Sequence, residues 1–136
     1  MKRDKVLDEL VIEEATLLKK HATRQELNNL DYDNLDGSYK YSCIYGQITG
    51  NCTNKRANQL IYKCAKRIYL SDEEDTFGGK LNGAPEKITN DSNRLFYYVS
   101  PIEKFLYMYK KHTDLQSTKV RKLVKFLKGE IDQLTF

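Results

Sequence analysis

Three cysteines, Cys43, Cys52 and Cys64, are the side chains whose type is best suited to metal binding. Cysteine-based zinc sites usually contain a close pair separated by about two to four residues, and neither gap here is that short. The odd count does not indicate a disulfide framework, and His21 and His112 are distant in sequence. We therefore predict no metal and no cofactor, and we interpret the cysteines as small core side chains, with Cys64 on the buried face of its helix.

Catalytic groups show no recognisable arrangement either. The clustered carboxylates, Asp72–Asp75, form an unbroken run, whereas a calcium-binding loop carries its oxygen ligands at spaced positions. The two histidines stand in unrelated contexts, and none of the cysteines has a histidine near it in sequence. These patterns predict a protein that is not an enzyme.

The segment Gly46–Thr53, GQITGNCT, invites comparison with a phosphate-binding loop, but it lacks the lysine that follows the second glycine of that motif. A glycine-bearing loop that leads into a helix still exposes backbone N–H groups, and Lys55 and Arg56 in the first turn add positive charge. Two interpretations stay open. One is an anion or phosphodiester contact, and the other is a tight turn capped by Asn51 or Thr53.

Basic residues are concentrated in two parts of the chain, although the formal net charge is only +4. Between Lys40 and Tyr69 there are six cationic side chains and no acidic one, and residues 100–128 contain eight against two. Basic helix faces are most often solvated surface, but two of them in one small chain favour association with polyanions or acidic proteins. The candidate binding residues are Lys55, Arg56, Lys63, Arg67, Arg121, Lys122 and Lys125. We expect charge reversal at Arg56, Lys63 and Arg67 to leave stability nearly unchanged.

Length and composition predict one domain over residues 1–136, since the chain has 136 residues and 40% hydrophobic side chains. The longest apolar runs are far below the roughly 18 residues that span a bilayer, and the N-terminus lacks a signal-peptide pattern. We therefore expect a cytoplasmic protein without a membrane partner.

Apolar periodicity predicts a helix over Lys5–Lys20, with Glu14 on or near its solvent side. Thr23 and Glu26 form a capping box for a short helix that ends at Leu30. The composition of Tyr39–Thr49 favours a short hairpin or an irregular extended loop. A helix over Asn54–Tyr69 follows, with its buried stripe at Ala57, Leu60, Ile61, Cys64, Ala65 and Ile68.

The second half begins with a glycine-rich loop over Asp72–Pro85, and Arg94–Val99 is the best strand candidate. Ser100 caps a helix with Pro101 at its first position. The last helix begins near Ser117 or Thr118 and contains Gly129. Its apolar seam lies either in the core or against a second copy; the seam is Val120, Val124, Leu127, Ile131 and Leu134. The expected fold is mainly α, with about five helices and a small β-hairpin or short strands, which is α+β at the margin.

The stretch from Tyr41 to Cys64, with its core YGQITGNC and the helix TNKRANQLIYKC, resembles a segment of small proteins from Bacteroidetes genomes and their phages. The resemblance covers about a sixth of the chain and transfers no functional residue. It implies a short domain from a phage or mobile element. Inhibitors of host defence, including anti-CRISPR proteins that dock on an RNA-guided nuclease, are one class of such proteins.

The sequence therefore favours a non-enzymatic inhibitor that engages a host effector protein or a protein–nucleic-acid complex through its basic faces. Direct contact with RNA or DNA within that complex stays open. The alternative is a small nucleic-acid-binding regulator that acts alone. Salt dependence separates the two, because direct binding to duplex DNA weakens with a log–log slope of about 0.9 per neutralised phosphate.

Overall fold

The computed structural model describes the backbone of residues 2–65, 68–71, 96–110 and 116–136. Within these ranges it contains six α-helices and one 3-10 turn at Tyr32–Asn34. The helices are α1 (Lys2–His21), α2 (Arg24–Asn28), α3 (Ile44–Thr49), α4 (Lys55–Cys64), α5 (Pro101–Tyr109) and α6 (Thr118–Leu127). The prediction of a mainly helical fold is confirmed. Arg67 and the Asp72–Pro85 loop lie outside the described residues.

Helix α1 is the central element, because it packs against α4, α5 and α6. Its stripe of Leu7, Val11, Ala15 and Leu18 is fully buried, as the periodicity of the sequence predicts. The buried side chains of the other helices join the same hydrophobic cluster. This packing fixes one face of α4 and one face of α6 against α1, and it leaves exposed residues on the opposite side of each of these two helices.

Local capping signals place the helix starts where the sequence predicts them. The Thr23 hydroxyl accepts from the Glu26 N–H at 3.0 Å, and the Thr23 N–H donates to the Glu26 carboxylate at 2.9 Å. Ser100 accepts from the Glu103 N–H, and Ser117 accepts from the Val120 N–H. Each cap satisfies a backbone donor that the first turn of a helix would otherwise leave unpaired.

The expectation of a hairpin or extended loop over Tyr39–Thr49 is wrong, because α3 occupies Ile44–Thr49. The burial of Tyr45 at 0% exposure overrides the strand-forming composition of this segment. Gly46 permits the compact path, since a Cβ there would lie 2.2 Å from the Lys40 carbonyl oxygen. Gly50 ends the helix at a φ of 100°, a conformation that glycine adopts without strain.

Helix α4 is shorter than predicted, because it ends at Cys64 and Ala65 is already extended with φ −94° and ψ 135°. Two four-residue strands, β1 (Ile68–Ser71) and β2 (Phe96–Val99), then pair antiparallel. The register places Ile68 opposite Val99 and Ser71 opposite Phe96. Ile68 therefore belongs to a strand and not to the buried stripe of α4.

The C-terminal segment leaves the helix earlier than the heptad-like spacing predicts. Gly129 has a φ of 84° and follows the end of α6, so it terminates the helix instead of lying within it. The chain then turns back: Leu134 is buried, and the Phe136 ring lies 4.9 Å from the Phe105 ring. The apolar side chains of α6 are buried within the chain itself, which supports the core alternative for the predicted seam.

Among the residues that the structure describes, no helix combines the length and the apolar character that a membrane span requires.

Candidate functional site

Helix α4 is anchored at its start and along one side, which fixes the face that it presents to solvent. The Asn54 side chain accepts from the Ala57 N–H at 2.8 Å and donates to the Thr49 carbonyl oxygen at 2.9 Å. Ala57, Leu60, Ile61 and Cys64 are buried, as predicted. The helix therefore cannot rotate without exposing its apolar stripe.

The opposite side of this helix is a continuous exposed surface, which we call the α4 face: Lys55, Asn58, Gln59, Tyr62 and Lys63. These positions are spaced by three, four, seven and eight residues from the first, so they share one side of the helix. Tyr62 is 78% exposed, the most exposed of the large hydrophobic side chains in the described part of the chain. The face combines two ammonium groups, two amides and one aromatic ring.

The side chains of the α4 face make few polar contacts with the described part of the chain. Within the described residues, Lys55, Gln59, Tyr62 and Lys63 have no side-chain hydrogen bond or ion pair, and the Asn58 amide makes one long contact of 3.5 Å to the Thr53 carbonyl oxygen. No acidic residue occurs in α4. Its two lysines are about 12 Å apart along the helix axis and bracket the ring. This arrangement is available for an anionic partner.

Arg56, a predicted binding residue, differs from the α4 face because its side chain is paired within the chain. Its Nε and one terminal nitrogen donate to the two Glu26 carboxylate oxygens, both at 2.8 Å, and that nitrogen also lies 3.4 Å from the His21 carbonyl oxygen. The hydrogen bond from Arg56 lowers the pKa of Glu26, and the same bond raises the pKa of Arg56. The pair joins α4 to α2, so we expect charge reversal at Arg56 to lower stability, in contrast to the expectation from the sequence.

The basic residues of α6 are also partly engaged within the chain. The Arg121 guanidinium lies 4.0 Å from the centre of the Tyr32 ring and donates to the Gln116 side chain at 2.9 Å. Lys122 approaches the Thr135 carbonyl oxygen at 3.4 Å. Lys125 is exposed. Of the three predicted binding residues on α6, Lys125 is the one whose side chain has no partner among the described residues.

The glycine-bearing segment does not fold as the loop that its resemblance to a phosphate-binding motif suggested. Gly46 lies inside α3, and the start of α4 is capped by Asn54 instead of Asn51 or Thr53. Asn51 accepts from the Thr53 N–H at 2.9 Å, so it closes the preceding turn. The loop is a structural connection between two helices.

Sequence reasoning missed a buried polar group, the Glu14 centre, where α1, α3 and α5 meet. Glu14 is 1% exposed; its carboxylate accepts from the Tyr45 hydroxyl and, at 2.8 Å, from the Ile102 N–H. Burial raises the pKa of Glu14 to about 7, against the lowering effect of these hydrogen bonds. The expectation of a solvent-facing Glu14 is therefore wrong. A sequence signal existed, since residues 7, 11, 14 and 18 share the spacing of a buried stripe.

The structure also brings together two cysteines that are separated in sequence. The Sγ atoms of Cys43 and Cys52 and a carboxylate oxygen of Glu103 all lie within 4.8 Å of one another. Cys43 is buried, whereas Cys52 and Glu103 are half-buried. Cys64 is buried elsewhere, in α4, as predicted. The sequence spacing that argued against a shared site for Cys43 and Cys52 did not predict their proximity.

Comparisons with protein-family profiles, with curated proteins and with solved structures found no match. The resemblance to small phage-type proteins therefore stays a prediction, and functional proposals for this chain depend on its own geometry.

Proposed function

We propose that this chain is a non-enzymatic binding protein that docks its α4 face on a nucleoprotein complex and thereby inhibits that complex. The α4 face itself is the observation that supports the proposal. It exposes two lysines and a tyrosine that have no side-chain partner within the described residues, on a helix without acidic groups. Side chains that the fold does not use, grouped on one rigid element, are suited to an external partner.

The mixture of side chains favours a partner that contains nucleic acid. Lysines bind phosphates, and amides such as those of Asn58 and Gln59 donate to phosphate oxygens or base edges. An exposed tyrosine next to these cations can stack on an unpaired base, which contributes about 1–3 kcal/mol in single-strand-binding proteins. An acidic protein surface would also bind the lysines and could bury Tyr62 as an anchor, so the test must separate nucleic acid from protein as the partner.

The proposed inhibition requires only that this chain occupies a surface of the complex. A folded chain that covers a phosphate-lined or guide-RNA surface excludes the ligand that normally binds there, and no bond needs to be made or broken. The anti-CRISPR class suggested by the sequence resemblance is one form of this proposal, in which the complex is an RNA-guided nuclease.

The test uses three probes: an RNA-guided nuclease loaded with its guide, free single-stranded RNA of about 20 nucleotides, and duplex DNA of the same length. We expect binding to the loaded nuclease, loss of target cleavage, and much weaker binding to either free nucleic acid. Strong binding to the free nucleic acids, with a steep salt dependence and no effect on cleavage, would instead identify a nucleic-acid regulator. If none of the probes binds, the proposal is wrong.

The variant Tyr62→Ala tests whether the tyrosine ring contributes to binding. We expect it to weaken binding about tenfold or more, since the contribution of one stacked base is about 1–3 kcal/mol. Tyr107→Ala is a matched control, because Tyr107 is 48% exposed on α5 and lies outside the α4 face. Equal effects of the two substitutions would contradict a role specific to α4.

A further inference from the structure

We propose that Cys43, Cys52 and Glu103 form a binding site for a zinc-like divalent metal ion. The proposal does not depend on the function proposed above. It rests on the convergence of three metal-ligating side chains from three parts of the chain, with all their ligand atoms within 4.8 Å of one another.

The two cysteines are brought together by one backbone carbonyl group. The Cys43 Sγ lies 3.9 Å from the Lys40 carbonyl oxygen, and the Cys52 N–H donates to that same oxygen at 3.0 Å. Gly46 also passes close to this oxygen, where a side chain would clash. Cys43, Gly46 and Cys52 therefore all approach the Lys40 carbonyl oxygen. The two Sγ atoms lie within 4.8 Å of each other.

Glu103 completes the set from a different element. It lies in the first turn of α5, where its N–H donates to the Ser100 hydroxyl at 3.0 Å. The helix cap thus fixes the backbone of Glu103, and a carboxylate oxygen of this residue lies within 4.8 Å of both Sγ atoms. With Zn–S bonds of about 2.3 Å, two thiolates of a tetrahedral site lie about 3.8 Å apart, so bringing these ligands onto one ion requires movements of about 1 Å or less.

A metal ion that binds here must displace the protons of both thiols. Burial raises the pKa of Cys43 above the usual range of a thiol, and the negative charge of Glu103 raises it further. Burial raises the pKa of Cys52 as well. A divalent ion between the three ligands would lower the pKa values of both thiols, because its charge stabilises the thiolates and the carboxylate together. Binding then releases the two thiol protons to solvent.

The ligand types determine which metals suit the site. Two thiolates select zinc and other soft or borderline ions over Mg²⁺ and Ca²⁺, which prefer oxygen ligands. Three protein ligands leave the fourth tetrahedral position for water or an external group. Cys43 is buried, whereas Cys52 and Glu103 are only half-buried.

Titration of the fully reduced protein with Co²⁺ tests the site, since cobalt replaces zinc and its thiolate complexes absorb in the near ultraviolet. We expect this absorption to saturate at a single site and to disappear when Zn²⁺ is added. Cys52→Ser should weaken binding by more than about 100-fold, because changes to outer-shell groups alone cost about 10- to 100-fold. Glu103→Gln should weaken binding less, since both thiolates remain.

Cys64→Ala is the matched control, because it removes a thiol outside the cluster and should leave the cobalt absorption unchanged. A second measurement needs no variant: Zn²⁺ should slow the alkylation of Cys52 by iodoacetamide in the wild-type protein. The proposal is wrong if the reduced wild-type protein shows no thiolate–cobalt absorption, or if Cys52→Ser retains it. Formation of a Cys43–Cys52 disulfide without any metal binding would overturn the proposal in favour of a redox pair.

Discussion

The Glu14 centre and the α4 face are both polar regions of this molecule, but they differ in whether their side chains have partners within the chain. At the Glu14 centre, the carboxylate accepts from the Tyr45 hydroxyl and the Ile102 N–H. On the α4 face, Lys55, Tyr62 and Lys63 have no side-chain partner within the described residues. The first region holds three helices together, whereas the second is available to another molecule.

This comparison shows that the type of a polar residue does not by itself indicate its role. Lys55 and Arg56 are adjacent cations at the start of α4, yet Arg56 forms a two-point pair with Glu26 and Lys55 is exposed. The same contrast separates Arg121, which lies over Tyr32, from Lys125 on the same helix. Only the cations without internal partners can bind a ligand without weakening the fold.

The largest predicted effect is a pH dependence that originates at the Glu14 centre. Because folding raises the pKa of Glu14 from 4.5 to about 7, the folded state holds this proton more tightly than the unfolded state. Its contribution to the free energy of unfolding is fully present below about pH 4.5 and is lost as the pH rises through about 7. The full contribution is about 3 kcal/mol, of which about 2 kcal/mol is lost between about pH 5.5 and 8.5.

Denaturant unfolding over this pH range measures the effect, with Glu14→Gln as the comparison. The amide is close in shape and does not titrate, so the stability of the variant should change much less with pH. An equal slope for both proteins would show that another group is responsible.

A smaller effect is expected for Arg56→Ala, at the cation that follows Lys55 in α4. This substitution removes the bidentate pair with Glu26 and should lower the free energy of unfolding by about 1 kcal/mol, the upper range for half-exposed ion pairs. Lys55→Ala is the matched control and should change stability by less than about 0.5 kcal/mol. Thermal unfolding at low and high salt measures both, and the effect of Arg56→Ala should shrink at high salt.

The smallest predicted effect concerns α6. Arg121→Ala removes a cation–π contact with Tyr32 and should lower the free energy of unfolding by about 0.5–1 kcal/mol. Lys125→Ala should have no measurable effect on stability. A larger loss for Lys125→Ala than for Arg121→Ala in denaturant unfolding would contradict the assignment of partners on this helix.

The local elements of this fold could be predicted because they depend on short-range signals. The caps at Thr23, Ser100 and Ser117 and the stripe of α1 follow from side-chain type and helical spacing. The early end of α6 at Gly129 could not be predicted from its apolar seam. Glycine can occur within a helix or at a position with positive φ. The packing of the surrounding chain determines which of these two conformations Gly129 adopts.

The candidate sites depend on contacts between distant parts of the chain, so the sequence predicted them less well. The helical pattern placed Lys63 opposite the buried stripe, and the structure confirms that Lys63 is exposed. The pair between Arg56 and Glu26 spans 30 residues and has no periodic signal. The approach of Cys43 to Cys52 depends on a backbone path around one carbonyl group, which residue spacing alone does not reveal.

The most direct test of the central claim compares two double variants with the same change in net charge, Lys55→Gln/Lys63→Gln and Lys122→Gln/Lys125→Gln. Affinity for the guide-loaded nuclease is measured for both at one salt concentration. We predict that the α4 variant loses at least about tenfold in affinity, or about 1.4 kcal/mol, whereas the α6 variant loses less than about threefold. Equal losses would mean that only net charge matters, and they would contradict the assignment of the α4 face as the binding surface.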